Sequence, residues 1–189
     1  MKEVSVADLG AVITLVRRGV SAPTRLYLVG NTSHLAEGWR SRVPRLELAG
    51  EPGSTALAAV VGESSAALEL GLVWESPADV IPLPPGWPER ARPVRADLAG
   101  AGSPLEVLHF DPYSVVLRLV ARGDEPDYVA ALEYQRRGWV DLTQLETMLA
   151  AIVPKFTSET LAQDPAEFRR KSRGLRQLIA SEVQQRRPA

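Results

Sequence analysis

A strand-like run, Arg25-Leu26-Tyr27-Leu28-Val29, leads directly into Gly30-Asn31-Thr32-Ser33, and a helix-like stretch from His34 to Trp39 follows. A buried strand ending in a Gly/Ser-type turn at a helix start is suited to holding phosphate, because the first N–H groups of a helix lack internal partners and point outward. Gly30, Thr32 and Ser33 are therefore candidate phosphate-binding residues, with ordinary N-capping as the competing reading of the two hydroxyls. Asn31 in this turn makes close approach of the backbone to a ligand less easy than a second glycine would. His34 reads as a capping or surface residue. A second strand-like run, Arg45-Leu46-Glu47-Leu48, sets Arg45 and Glu47 two apart and so on one side of a strand. A guanidinium cannot ligate a cation, so Arg45 is expected either to pair with Glu47 or to hold a phosphate with its planar fork. Ser114, Arg118 and Arg122 recur at i, i+4 and i+8, which makes one polar stripe on a helix; a solvent-facing stripe, or pairing of Arg122 with Asp127, is the alternative reading. No Ser-His-Asp or paired-carboxylate spacing calls for a hydrolase.

Composition narrows the classes. The 189 residues suffice for one sizeable core, or for a core with a helical appendage. With no Cys there is no disulfide framework, thiol nucleophile or Cys-based zinc site, and His34 and His109 alone cannot build a multi-His centre. No apolar run reaches membrane-spanning length, so no membrane association is expected. Lys2 and Glu3 precede a helix-like pattern without a long apolar segment, so a signal peptide is not expected and cytoplasm is the default compartment. The net charge of −1 hides an asymmetry: residues 155 to 189 carry eight Lys/Arg against Glu159, Asp164, Glu167 and Glu182, a balance of +4 that leaves −5 elsewhere. A basic C-terminal helix meets nucleic acid or an acidic partner, or is simply a solvated face.

The elements that position these residues follow from caps and breakers. Ser5 and Asp8 form a capping box for a helix with apolar face Leu9, Val12, Ile13 and Val16, ended by Gly19. Strands at Leu26–Val29 and near Leu46–Ala49 follow, then a helix from Ser54 to about Leu70 and a strand over Gly71–Glu75. The prolines between Pro77 and Pro93 predict a loop rather than a helix or central strand. Val94–Leu98 and Leu105–Phe110 read as a hairpin around Ala99–Gly102. After this the pattern becomes helical: Asp111-Pro112 to Gly123, Asp124 to Arg137, Asp141 with Gln144 to Val153, and Asp164-Pro165 to about Gln185. The order predicts an α/β (α+β) part at residues 1–110 and a C-terminal helical lobe at 111–189, without a linker between them.

At this spacing the first segment resembles the opening of the nucleotidyltransferase superfamily, which places a Gly-Gly/Ser-Ser turn after its first strand and an Asp-x-Asp pair on its second. Here the pair reads Arg45-Leu46-Glu47. The stretch Ser76 to Trp87, the run His109-Phe110-Asp111-Pro112-Tyr113-Ser114, then Arg118, Ala121-Arg122-Gly123, Asp127-Tyr128 and Gly138-Trp139-Val140-Asp141 are similar to a subgroup of bacterial nucleotidyltransferase-like proteins. The resemblance implies a mixed sheet with flanking helices, and two Mg²⁺ ions that clamp a triphosphate and activate a hydroxyl. It implies a catalytic, metal-binding role for Glu47, with Glu75 substituting at a third position that aligns with Val73. It further implies that Ser114 and Arg118, the latter in place of a more usual Lys, approach the triphosphate together with Arg122. Toxin–antitoxin or defence proteins that attach nucleotides to tRNA ends or to a cognate partner protein are the implied class. With Arg45 in place of the first Asp, the resemblance points to a degenerate catalytic site. The alternative is a non-catalytic module that binds tRNA or a partner protein.

Overall fold

The structure, a computed structural model, describes residues 2–76, 81–100, 103–156 and 164–185. It is a mixed α/β protein that divides into two compact units, Met1–Ser76 with Ala91–Phe110 and Pro77–Arg90 with Asp111–Ala189. One division falls between Phe110 and Asp111; the proline-rich segment, which the sequence reading leaves in residues 1–110, groups with the second unit. Residues 77–80 of that segment and the Ala101-Gly102 step lie outside the described residues.

The first unit opens with α1 (Val6–Gly19), whose capping box is complete: the Ser5 hydroxyl accepts from the Asp8 N–H, and the Asp8 carboxylate accepts from the Ser5 N–H at 2.9 Å. Gly19 is the last residue of the helix rather than the residue past it. A Cβ there would lie 2.7 Å from Val60 Cγ1, so the glycine serves close packing of α1 against α3 (Thr55–Ala67). Five strands follow in chain order: β1 (Thr24–Leu28), β2 (Leu46–Gly50), β3 (Leu72–Trp74), β4 (Arg92–Pro93) and β5 (Leu105–His109). They form one mixed sheet in the order β3-β2-β1-β5-β4. The expected neighbours β1 and β2 pair antiparallel, with Tyr27 opposite Ala49 and Leu28 opposite Leu48; β1 and β5 run parallel, as do β2 and β3. The expected hairpin is different from the one observed. Leu105–His109 pairs antiparallel with Arg92–Pro93, whereas Ala96–Ala99 forms a single helical turn, α4. Pro93 is tolerated because β4 is an edge strand.

Strand alternation sends Leu26, Leu28, Leu46, Leu48, Leu105 and Val107 to one face, where they meet Leu9, Val12, Ile13 and Val16 of α1 and Leu57 and Val61 of α3. Each such side chain, fully buried, contributes roughly 1.5–3 kcal/mol. The opposite face carries Arg25, Tyr27, Glu47 and Glu106, and α2 (Gly30–Ala36) leaves the end of β1.

The second unit is helical among its described residues: α5 (Pro112–Arg122), α6 (Glu125–Arg136), α7 (Leu142–Ile152), a 3₁₀ turn through Pro154, and α8 (Pro165–Gln185). The expected caps at Asp111 and Asp141 accept from Tyr113 and Ser114 N–H and from Gln144 N–H. Gly123 ends α5 in the left-handed conformation, and Lys171 of α8 donates to the last carbonyls, Ala121 and Arg122, at 2.7 and 2.9 Å. Val116, Leu117, Val120, Ala131, Tyr134, Ile152, Phe168 and Leu175 are buried. Among the described residues no helix is long and apolar enough to cross a membrane.

Candidate functional site

The Gly30 turn forms as the sequence predicts, at the start of α2, but it is filled from within. β2 runs antiparallel to β1, and this carries Glu47 back alongside the turn. Its carboxylate accepts from the Asn31 N–H at 3.0 Å and from Asn31 Nδ2 at 3.4 Å. The N–H that would meet a phosphate is thus capped by the chain's own anion. Gly30 has φ +50°, and a Cβ on it would lie 2.4 Å from Glu47 Oε2; the glycine is required by both the conformation and the carboxylate.

The two hydroxyls of the turn also work inside the fold. Thr32 Oγ1 accepts from the Glu47 N–H at 2.7 Å, and Ser33 Oγ donates to the Leu28 carbonyl at 2.9 Å. Both residues are buried. Gly30, Thr32, Ser33 and Glu47 are therefore brought together, in a closed network that locks α2 to β1 and β2. His34 is fully buried rather than at the surface, its ring 5.0 Å from that of Trp39.

Arg45 is exposed and, among the described residues, forms no ion pair with Glu47. Glu75 continues the β2–β3 ladder through its N–H to Leu48 O at 2.7 Å. The register sets Glu47 opposite Val73, so alternation places Glu75 on the Glu47 side of the sheet. These residues do not gather as a Mg²⁺ site: both Glu47 oxygens already accept from Asn31, and among the described residues no three His, Cys, Asp or Glu are grouped as a metal would need.

The Ser114, Arg118, Arg122 stripe lies on α5 in the second unit, and it too is engaged. Asp111, fully buried, accepts from Tyr113 N–H, Ser114 N–H and Ser114 Oγ, the last at 2.7 Å. Arg90 adds a bidentate pair, Nε to Oδ1 at 3.0 Å and Nη2 to Oδ2 at 2.7 Å, and also donates to Pro85 O. Five donors on one carboxylate tie the proline-rich segment to the start of α5. Arg118 is buried rather than solvent-facing, and Arg122 makes a bidentate pair with Asp127, at 3.1 and 2.7 Å.

Three further groups escape local sequence reading. On the second sheet face Arg25 stands between Glu106, its partner in the β1–β5 register at 2.8 Å, and Glu51 at 3.5 Å. Tyr27 donates to Glu51 at 2.8 Å, and burial together with that carboxylate pushes its phenol up to about 12. These charges line an open groove of ≈ 470 Å³ with Pro23, Thr24, Ser54 and Pro104. The alternation Arg25-Leu26-Tyr27-Leu28 is the one sequence signal for it. His109, at the end of β5, is fully buried with its Nε2 3.0 Å from Glu37 Oε1. Burial brings its imidazole down to about 4, Glu37 opposing and Arg92 reinforcing the shift.

No protein-family model, no curated protein and no solved structure matches this chain.

Proposed function

We propose that this chain is a nucleotidyltransferase-like protein of bacterial toxin–antitoxin or defence type whose catalytic chemistry is lost. The reading starts from the motif resemblance at Gly30–Ser33 and Arg45–Glu47. One observation carries the loss: the Glu47 carboxylate caps the Gly30 turn through Asn31. A phosphate arriving there would have to displace a carboxylate of like charge and leave it without its N–H donors, and Arg45 supplies no ligand for a bridging cation. The test is incorporation of labelled nucleotide into tRNA or a co-expressed partner protein, with Mg²⁺ and each of the four nucleotides. No transfer is expected, and thermal melts should not rise with Mg²⁺ and nucleotide, since a ligand stabilises only a state that it binds. Reproducible transfer that disappears in Glu47→Ala would overturn the proposal.

A second reading has its own observation. The chain acts as a non-catalytic binding module for tRNA or a partner protein, and the exposed arginines of α8 favour it. Retention of RNA or of a cognate protein by the full chain in the absence of nucleotide and metal tests this reading.

A further inference from the structure

α8 packs into the second unit through Phe168, Leu175 and Ile179, which recur at i, i+7 and i+11 on one side and are buried. Arg169, Arg173 and Arg176, at i, i+4 and i+7, fall on a separate exposed stripe about 10 Å long. Among the described side chains of α8, no acidic residue lies within it. Glu167 lies on the other side of the helix, where it pairs with Lys171 at 3.3 Å and reaches Arg170 at 3.9 Å. Arg176 meets Glu146 of α7 at 2.9 Å with both side chains mostly solvated, an ion pair that a stronger anion displaces at little cost. Arg169 and Arg173 form no ion pair among the described residues. Among the described side chains, the small Ala180 continues the line of the stripe beyond Arg176, and Leu178, the exposed apolar residue of α8, lies on the opposite side of the helix.

We infer that this stripe docks the phosphate backbone of double-helical RNA. The inference rests on the binding-module reading above and gives it a surface. A peptide partner would need an apolar anchor among the charges; the apolar pocket beside Arg176, lined by Leu142, Leu145 and Leu149, holds only ≈ 30 Å³ and is too small to seat one. A single strand would need aromatic platforms for its bases, and α8 carries no exposed aromatic residue among those described. A duplex needs only donors spaced along its phosphates. Gln177, exposed on the flank of the arginines, supplies a neutral amide that donates and accepts, which suits a 2′-hydroxyl and so favours RNA over DNA.

The experiment is fluorescence anisotropy of a labelled RNA hairpin titrated with the full chain between 50 and 200 mM salt. Three phosphate contacts on a duplex predict a log K against log salt slope of about −2.7, a loss of about fortyfold across that range. The double variant R169E/R173E should flatten the slope to near zero and weaken binding more than tenfold at the lower salt. Both positions are exposed, so its thermal melt should match wild type and exclude misfolding. A DNA duplex of the same sequence should bind less tightly, and Gln177→Ala should narrow that gap. RNA binding that survives R169E/R173E would overturn this surface while leaving the binding-module reading intact. Tighter binding of single strands or of the DNA duplex would also overturn it, and no RNA binding at all would remove both the surface and the RNA form of the reading. None of these outcomes bears on nucleotide transfer, which is measured separately.

Discussion

Acidification should destabilise this protein through one imidazole. His109 is fully buried on β5 between β1 and β4, with Glu37, just past α2, at 3.0 Å and Arg92 opposite it in the β4–β5 register. Its ordinary value is 6.5, and in the folded state it lies at about 4, chiefly from burial, with Arg92 adding and Glu37 resisting. Between these two values the unfolded chain binds a proton that the folded chain does not. Stability therefore rises with pH across this window, is fully present above about 6.5, and is lost progressively as pH falls toward about 4. The full difference corresponds to about 3 kcal/mol, of which about 2 kcal/mol falls between pH 7 and pH 5. That range stays above the ordinary titration of carboxylates. Urea denaturation at both pH values, with a common slope, measures the change. His109→Gln keeps a neutral donor for Glu37 and cannot take up the proton, so its stability should differ by about 2 kcal/mol less between the two pH values than wild type. If wild type and variant lose the same stability between pH 7 and pH 5, the buried imidazole is not responsible and the reasoning fails.

Other perturbations probe the remaining networks. Gly30→Ala forces a Cβ against Glu47 Oε2 in a left-handed conformation and should cost about 1–3 kcal/mol in chemical denaturation; Glu47→Ala should relieve part of that cost, which a double-mutant cycle detects as non-additivity. Arg90→Ala strips the buried Asp111 of its bidentate partner and should cost about 3 kcal/mol, read as a lowered urea midpoint. Arg122→Ala, which opens a half-exposed pair with Asp127, should cost less than about 1 kcal/mol in the same assay. Ser5→Ala removes a capping box and should cost about 1 kcal/mol.

What could be read from the chain follows the range of the interactions. The caps at Ser5, Asp111 and Asp141 were legible because each side chain bonds to a backbone N–H two or three residues away. The left-handed stop at Gly123 and the pairing of Arg122 with Asp127 are equally local. Gly19 reads as a stop because a glycine near the end of an apolar stripe usually is one; its packing against Val60 depends on a helix that the local sequence does not place. The expected Val94–Leu98 strand does not form, although its apolar residues look like strand residues: Val94 lies just past β4 and Leu98 on the α4 turn, and both join the core. Long-range pairs such as His109 with Glu37 and Arg90 with Asp111 carry no spacing signal.

The candidate site shows why motif and chemistry part company here. A Gly/Ser turn at a helix start is written in neighbouring residues and so can be recognised, but whether its N–H groups face a ligand depends on the strand beside it. β2 runs antiparallel and brings one carboxylate to that turn. With a second carboxylate at position 45, repulsion would favour a bridging cation over the turn's N–H groups; with Arg45 there, solvated and away from Glu47, nothing draws the carboxylate out. The expected outcome is that a carboxylate at position 45 opens the turn, whereas an arginine there leaves it closed. Arg45→Asp is the substitution that distinguishes these states. It should give Mg²⁺-dependent thermal stabilisation that wild type lacks, and equal melts of the two proteins with and without Mg²⁺ would show that the Glu47–Asn31 cap, not the missing carboxylate, keeps the turn shut.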